Sequence, residues 1–269
     1  MIELLALDLD GTLIGHDLTI SPKVLTAIQH ALDAGVRATI VTGRMFVAAR
    51  PFAQRLGLHG PIVCYQGAAI FDLDSGEILR ETPLSNAVAM RVYEMAKRAG
   101  LHVQMYRDDQ FFVEEDNRYA ELYAQLSRAR PVVVESLAQT FADHDSTKVV
   151  VVTEPERANA LVGELERLLG DQAYVTRSQA EFIEILNPRV NKGEALRFVA
   201  ERLGISMEHT LAIGDSYNDL PLLQAAAIGV AMGSGPDELK AQADAVVADV
   251  AHDGVAAAIE RFVLQGEHV

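Results

Sequence analysis

Asp8 and Asp10, two residues apart in Asp8-Leu9-Asp10-Gly11-Thr12, are the first side chains of this sequence whose type and spacing suggest chemistry. Along an extended segment side chains alternate faces, so positions two apart place two carboxyl groups beside one pocket. Close carboxylates repel, which calls for a raised pKa on one of them or a cation between them. Three further points join this pair: Thr42 with Gly43, Lys192, and Asp215 with Asn218 and Asp219. Singly, each has an ordinary structural reading, since Thr42 suits a helix cap, Lys192 a solvated helix start, and Asp215 or Asp219 an N-cap. Together they supply what phosphoryl transfer requires: a carboxylate nucleophile, an acid/base, a hydroxyl, a cation and acidic metal ligands.

Charge explains why the cations are needed. A carboxylate approaching a phosphate dianion at about 4 Å is repelled by roughly 8 kcal/mol at an effective dielectric of about 20. A Mg²⁺ held by Asp8 and Asp215, together with the Lys192 ammonium, brings opposite charge to the same oxygens. Asp8 can then attack phosphorus to give an aspartyl-phosphate. Asp10, protonated, donates to the leaving alkoxide and, once ionised, takes a proton from the hydrolytic water. Thr42 hydrogen-bonds a phosphoryl oxygen.

The elements that must position these groups alternate in type. An apolar strand over residues 4–7 stops at Gly11-Thr12 and leaves the first carboxylates at its carboxyl end, where open α/β sheets bind ligands. Ser21-Pro22 opens a helix carrying Val24, Leu25, Ile28, Ala31 and Leu32 at helical spacing. A strand over 36–41 closes in Thr42-Gly43-Arg44 and leads to a helix over 46–56, a strand over 61–65 and a hairpin over 70–79. This alternation predicts right-handed parallel crossovers. From about residue 82 the pattern becomes a helix over 85–99 with strands over 101–106 and 111–114. The same plan recurs after Asp145 as a strand over 148–152, a helix over 155–169, and strands over 173–176 and 182–186. The parallel pattern resumes with a helix opened by Asn191-Lys192-Gly193 and strands over 210–213, 228–232 and 245–247. The expected fold is α/β, with a doubly wound parallel sheet built from 1–81 and 188–269 and an α+β unit inserted over 82–187.

Composition bounds the partners. With 269 residues, 49% of them hydrophobic, the chain can bury a substantial core. The net charge of −15 argues against nucleic acid or an anionic membrane as partner, so an anionic ligand must be held by local cations. A single cysteine, Cys64, excludes an internal disulfide and a thiolate metal cluster and fits a reducing compartment. Glu3 stands where a signal peptide would carry Lys or Arg, and no apolar run reaches membrane-spanning length, so a cytoplasmic protein is expected. His16, His30, His144 and His252 lack the spacing of a zinc site.

Asp8-Leu9-Asp10-Gly11-Thr12, Thr42-Gly43-Arg44, Asn191-Lys192-Gly193 and Gly214-Asp215-Ser216-Tyr217-Asn218-Asp219 resemble the four motifs of the haloacid dehalogenase-like phosphatase superfamily, in its Cof-type subgroup. Their order and intervals fit, and the resemblance covers essentially the whole chain. It implies a Rossmann-like core with an inserted α/β cap domain. By position it implies Asp8 as nucleophile, Asp10 as acid/base and backbone-carbonyl Mg²⁺ ligand, Asp215 as metal ligand and Asp219 as support of the metal site. It also implies Thr42, Gly43, Lys192 and Asn218 around the phosphate. Gly229-Val230-Ala231-Met232-Gly233 and His252-Asp253-Gly254-Val255 resemble later structural signatures. Two departures stand out: Gln66-Gly67-Ala68 replaces Asn-Gly-Ala, which bears on substrate contacts and hinge geometry, and Ser234-Gly235 replaces Asn-Ala. The dehalogenases of the superfamily lack the second aspartate; Asp10 therefore favours phosphate transfer over carbon–halogen cleavage.

The resemblance implies a Mg²⁺-dependent phosphatase of small phosphorylated metabolites, such as sugar phosphates, pyridoxal phosphate or flavin mononucleotide, working as a monomer or homodimer. The alternatives are a phosphosugar mutase using the same nucleophile and a non-catalytic ligand-binding protein. Substrate choice falls to the inserted cap, which is expected to close over the core to exclude water. His102, Gln104, Tyr106, Arg107 and Asp108 there are polar or aromatic groups in or beside a strand pair that could meet a leaving group, with a solvated hairpin as the stronger reading of each.

Overall fold

The computed structural model describes residues 1–177 and 180–267. The chain forms two compact units: unit 1 comprises Met1–Thr42, Ala49–Leu79 and Asn191–Val269, and unit 2 comprises Gly43–Ala48 and Arg80–Val190.

The first half of unit 1 runs β1 (Leu4–Leu7), α1 (Pro22–Asp33), β2 (Arg37–Ile40), α2 (Phe46–Arg55), β3 (Pro61–Cys64), β4 (Ala69–Asp72) and β5 (Ile78–Glu81), with the start of α2 and the end of β5 belonging to unit 2. Unit 2 continues through α3 (Asn86–Arg98), β6 (His102–Arg107), β7 (Gln110–Val113), α4 (Arg118–Ser127), β8 (Val132–Val133) and α5 (Leu137–Thr140). It ends with β9 (Val149–Val152), α6 (Pro155–Leu169), β10 (Tyr174–Arg177) and β11 (Phe182–Leu186). The chain then returns to unit 1 as α7 (Lys192–Leu203), β12 (Thr210–Gly214), α8 (Leu220–Ala225), β13 (Ile228–Met232), α9 (Asp237–Gln242), β14 (Ala245–Val247) and α10 (Gly254–Ile259).

Five parallel strands in the order β14-β13-β12-β1-β2 make the central sheet of unit 1, the doubly wound α/β arrangement expected from the alternating pattern. β1 lies inside it with all four residues fully buried, which is why the strand reads as an unbroken apolar run. Leu4 and Ala6 pack with Ala195, Leu196, Val199, Leu222 and Leu223 of α7 and α8. Burying each such aliphatic side chain contributes roughly 2 kcal/mol. Ser21 caps α1 by accepting from the Val24 amide at 3.2 Å, with Pro22 at the first helical position, as its sequence predicts.

Unit 2 is one six-stranded sheet in the order β10-β11-β9-β6-β7-β8. α3 and α6 cover one face of it, where Val88, Val92, Leu161 and Leu165 meet Val103, Met105, Val149, Val151, Ile183 and Ile185. α4, α5, β8 and α9 have no counterpart in the sequence-based expectation. In α4 only Ala120, Tyr123 and Ser127 are buried, so the apolar stripe is too narrow to register, and the helix is started by Asn117, which accepts from the Tyr119 and Ala120 amides. Among the described residues no helix is long and apolar enough to cross a membrane.

Candidate active site

The functional side chains of unit 1 collect where β1 and β12 end. These strands are paired in parallel with Leu7 opposite Ile213, so the residues that follow emerge side by side. The Asp8 amide continues the ladder, donating to the Ile213 carbonyl at 3.0 Å, before the chain turns through Gly11. Asp8 is buried, at 4% exposure. Beyond Gly214 the chain also turns sharply, and Asp219 organises that turn: its Oδ2 accepts from the amides of Asp215 and Ser216, each at 3.0 Å. Asn191 caps α7 by accepting from the Glu194 amide at 2.8 Å, which sets Lys192 in the first turn of the helix.

Lys192 is fully buried, so its reading as a solvated helix-start side chain is excluded. Its Nζ donates to Asp8 Oδ1 at 2.6 Å and to Asp219 Oδ1 at 2.5 Å. Carboxylate oxygens of Asp8, Asp215 and Asp219 all lie within 4.8 Å of one another. Thr12 donates from its hydroxyl to Asp215 Oδ1 at 3.3 Å. Gly11, at φ +84°, lies against the same carboxylate so closely that a Cβ there would collide with it.

Asp10 stands outside this triad. The extended geometry ends at Leu7, and in the turn that follows Asp10 is exposed and pairs with Ile14 in an isolated bridge.

Thr42 follows β2 and is buried at 1% exposure; its amide donates to the Val63 carbonyl at 3.0 Å, and its own carbonyl accepts from the Gln66 amide at 3.0 Å. Gln66 is buried and adopts φ +60° next to Tyr65 at +53°, two successive left-handed residues that are not glycine. Its Oε1 accepts from Asn218 Nδ2 at 2.9 Å, while Asn218 Oδ1 is buried with no hydrogen-bond partner among the described residues. Gly43 begins the stretch that packs with unit 2, and Arg44 there donates from Nη1 to the Leu126 carbonyl at 3.3 Å. Thr12 and Gln66 are site residues that the sequence motifs do not assign, although the Gly-Thr turn and the Gln-Gly-Ala departure carry the signal.

Electrostatics of the cluster follow from burial and crowding. Burial pushes the Asp8 carboxyl well above the usual range, the Asp219 charge adds to that, and Lys192 opposes it. Asp215 is pushed up to about 6, again by burial first and Asp219 second. Burial opposes charge on Lys192, but Asp219 and Asp8 outweigh it and its pKa is raised. One ammonium, paired with Asp8 and Asp219, thus stands beside three crowded carboxyl groups, an all-oxygen set that fits a hard divalent cation such as Mg²⁺.

The pyridoxal phosphate phosphatase YbhA of Escherichia coli (strain K12) is 32% identical over 263 residues, covering 94% of this chain and 96% of its own length. The 5-amino-6-(5-phospho-D-ribitylamino)uracil phosphatase YcsE of Bacillus subtilis (strain 168) is 30% identical over 264 residues, covering 98% and 96%. A haloacid dehalogenase-like hydrolase from Bacteroides thetaiotaomicron has the same fold, with a TM-score of 0.87 at 28% identity over 97% of this chain and 100% of that one. Residues 5–259 match the haloacid dehalogenase-like hydrolases, and the chain belongs to that family.

Proposed function

We propose that this hydrolase is a Mg²⁺-dependent phosphatase of small phosphorylated metabolites that works through an aspartyl-phosphate on Asp8. The observation that carries the reading is Lys192, buried and bound to both Asp8 and Asp219 beside Asp215. Similarity to enzymes named for pyridoxal phosphate and for a phosphoribitylamino-uracil supports the substrate class.

Each residue has a part in that chemistry. Lys192 holds the Asp8 carboxylate in one orientation and offsets charge that would repel a phosphate dianion. Asp8, Asp215 and the Asp10 carbonyl would hold Mg²⁺, which when bound supplies positive charge to the phosphoryl oxygens; Asp219 shapes the turn that presents Asp215. Thr42 and Asn218 hydrogen-bond phosphoryl oxygens, with the Gly43 backbone beside them. Asp10, exposed on its turn, protonates the leaving oxygen and afterwards deprotonates the water that cleaves the acyl-phosphate. Unit 2 serves as the cap domain in this reading and carries the choice of leaving group.

The test is phosphate release from a panel of phosphorylated metabolites, including pyridoxal phosphate, sugar phosphates and flavin mononucleotide, with Mg²⁺ or with chelator, beside Asp8→Asn. Release that needs both the metal and Asp8 is expected. Release that persists in Asp8→Asn would refute the aspartyl-phosphate route.

A further inference from the structure

The chemistry above leaves His102 of unit 2 unused. Its imidazole is half-buried at the start of β6 and packs beside the Tyr119 ring, with centroids 5.7 Å apart. It lines a cavity of about 230 Å³ together with Tyr93, Leu101, Val103, Tyr119 and Leu137. A second cavity of about 270 Å³ shares Leu101, His102 and Tyr119 with the first. All of these residues belong to unit 2. A hollow of about 230 Å³ lies below the roughly 300–1,000 Å³ of drug-sized ligand sites and suits a single ring.

Two neutral donors line that hollow. Tyr106 donates its hydroxyl to Gln104 Oε1 at 2.7 Å, which leaves the Gln104 amide nitrogen facing His102 Nε2 at 3.3 Å. An amide nitrogen only donates, so His102 Nε2 accepts and the ring carries its proton on Nδ1. Burial keeps this ring neutral by lowering its pKa to about 4. The Nδ1–H donor has no hydrogen-bond partner among the described residues. Asn117 supplies the second donor: its Oδ1 accepts from the Tyr119 and Ala120 amides at 3.0 and 3.3 Å to start α4, and its Nδ2 has no partner among the described residues.

The charges around the same cavity do not favour an anion. Lys97 Nζ donates to Glu114 Oε2 at 2.6 Å, and Glu114 Oε1 accepts from the Tyr93 hydroxyl and the Leu137 amide at 2.6 and 2.9 Å. Glu115 then gives the lining an excess of negative charge. The cavity also lies at the far end of β6 from the Asp109 turn, whose carboxylate accepts from the Phe46 and Val47 amides. The length of the strand, roughly 17 Å, separates the two.

We propose that this cavity is a binding site for a small neutral heteroaromatic molecule, a nicotinamide- or nucleobase-like ring whose carbonyl or ring-nitrogen acceptors take hydrogen bonds from His102 Nδ1 and Asn117 Nδ2 while the ring packs among Tyr93, Leu101 and Tyr119. The site goes beyond the phosphatase reading and does not depend on it, because it is tested by binding rather than turnover.

The experiment titrates the full chain with nicotinamide, uracil and nicotinate, the anionic counterpart of nicotinamide, and follows binding by protein NMR shifts and calorimetry. Two variants accompany the parent. His102→Phe keeps a ring against Tyr119 and deletes the donor; Asn117→Asp keeps the α4 cap and replaces the donor by an acceptor. Nicotinamide or uracil should bind the parent with shifts at residues 93–103 and 114–119, and nicotinate should bind at least tenfold more weakly than nicotinamide. Each variant should melt within a few degrees of the parent and bind the neutral ring about tenfold more weakly. Should His102→Phe fail to fold, Asn117→Asp decides, since aspartate caps a helix as well as asparagine does. The proposal is overturned if neither neutral ring shifts those residues, if nicotinate binds as tightly as nicotinamide, or if Asn117→Asp retains parental affinity.

Discussion

Lys192 joins Asp8 to Asp219, 2.6 Å from one carboxylate and 2.5 Å from the other, so one ammonium in the first turn of α7 fixes acids from two different strand ends. Removing it strands two buried carboxylates. Lys192→Met should therefore destabilise the metal-free protein by about 3–5 kcal/mol, and Mg²⁺ should restore part of that. Phosphate release should fall well below a hundredth of the parental rate. Denaturant melts with and without Mg²⁺ check the first expectation; equal stability of parent and variant would contradict it.

Gln66 carries a conflict between backbone and side chain. Its φ of +60° is strained for a residue that is not glycine, yet its amide holds Asn218 at 2.9 Å. Gln66→Gly relieves the first and deletes the second. The melting temperature should change little, because strain relief of about 1 kcal/mol offsets a lost hydrogen bond of similar size. KM should rise, because the Asn218 amide loses its anchor. A variant with parental KM would show that Asn218 needs no such support.

Gly11 and Gly35 share left-handed angles, +84° and +88°, but only Gly11 faces anything: the Asp215 carboxylate lies against it, while nothing stands within 4 Å of a Cβ at Gly35. Gly35→Ala should cost about 1 kcal/mol of strain and leave Mg²⁺ affinity unchanged. Gly11→Ala adds displacement of Asp215 and should weaken Mg²⁺ binding at least tenfold by calorimetry. Equal Mg²⁺ affinity in the two variants would remove Asp215 from the metal site.

How much of this was legible in the sequence depended on range. β1, α1 with its Ser21 cap, and α6 over Pro155–Leu169 are written in local apolar periodicity and punctuation, and they form as read. The Asp8, Lys192 and Asp215 set was legible as types that make sense together, but composition left Lys192 open between a solvated helix start and a buried cation. Only folding decides that, because the burial of Lys192 comes from partners 184 and 27 positions away. The Gln66 bond to Asn218 and the Lys148 bond to Gly43 span 152 and 105 positions and leave no periodic trace. α4 and α5 escaped for a different reason, since each buries too few side chains to print a stripe.

Asp215 and His102 should contribute opposing pH slopes to the stability of the metal-free protein. Asp215 has its pKa raised to about 6, above the unfolded value near 3.8, so the folded state binds the proton more tightly. Its contribution to stability is full below the unfolded value and is lost as pH rises through about 6. His102 runs the other way: burial lowers it from 6.5 to about 4, so its neutral form supports the fold above the unfolded value and that support is lost as pH falls toward 4. Asp8, raised as well, keeps part of the Asp215-type slope, so Asp215→Asn should lose stability less steeply than the parent as pH rises, and His102→Gln more steeply. Mg²⁺ should reverse the Asp215 slope, because the metal binds the ionised carboxylate and its affinity grows as the proton leaves. Melting temperatures at pH 4 to 7 in chelator and in Mg²⁺ measure all three slopes. A parental slope at Asp215→Asn would mean that this carboxyl does not titrate in the folded protein.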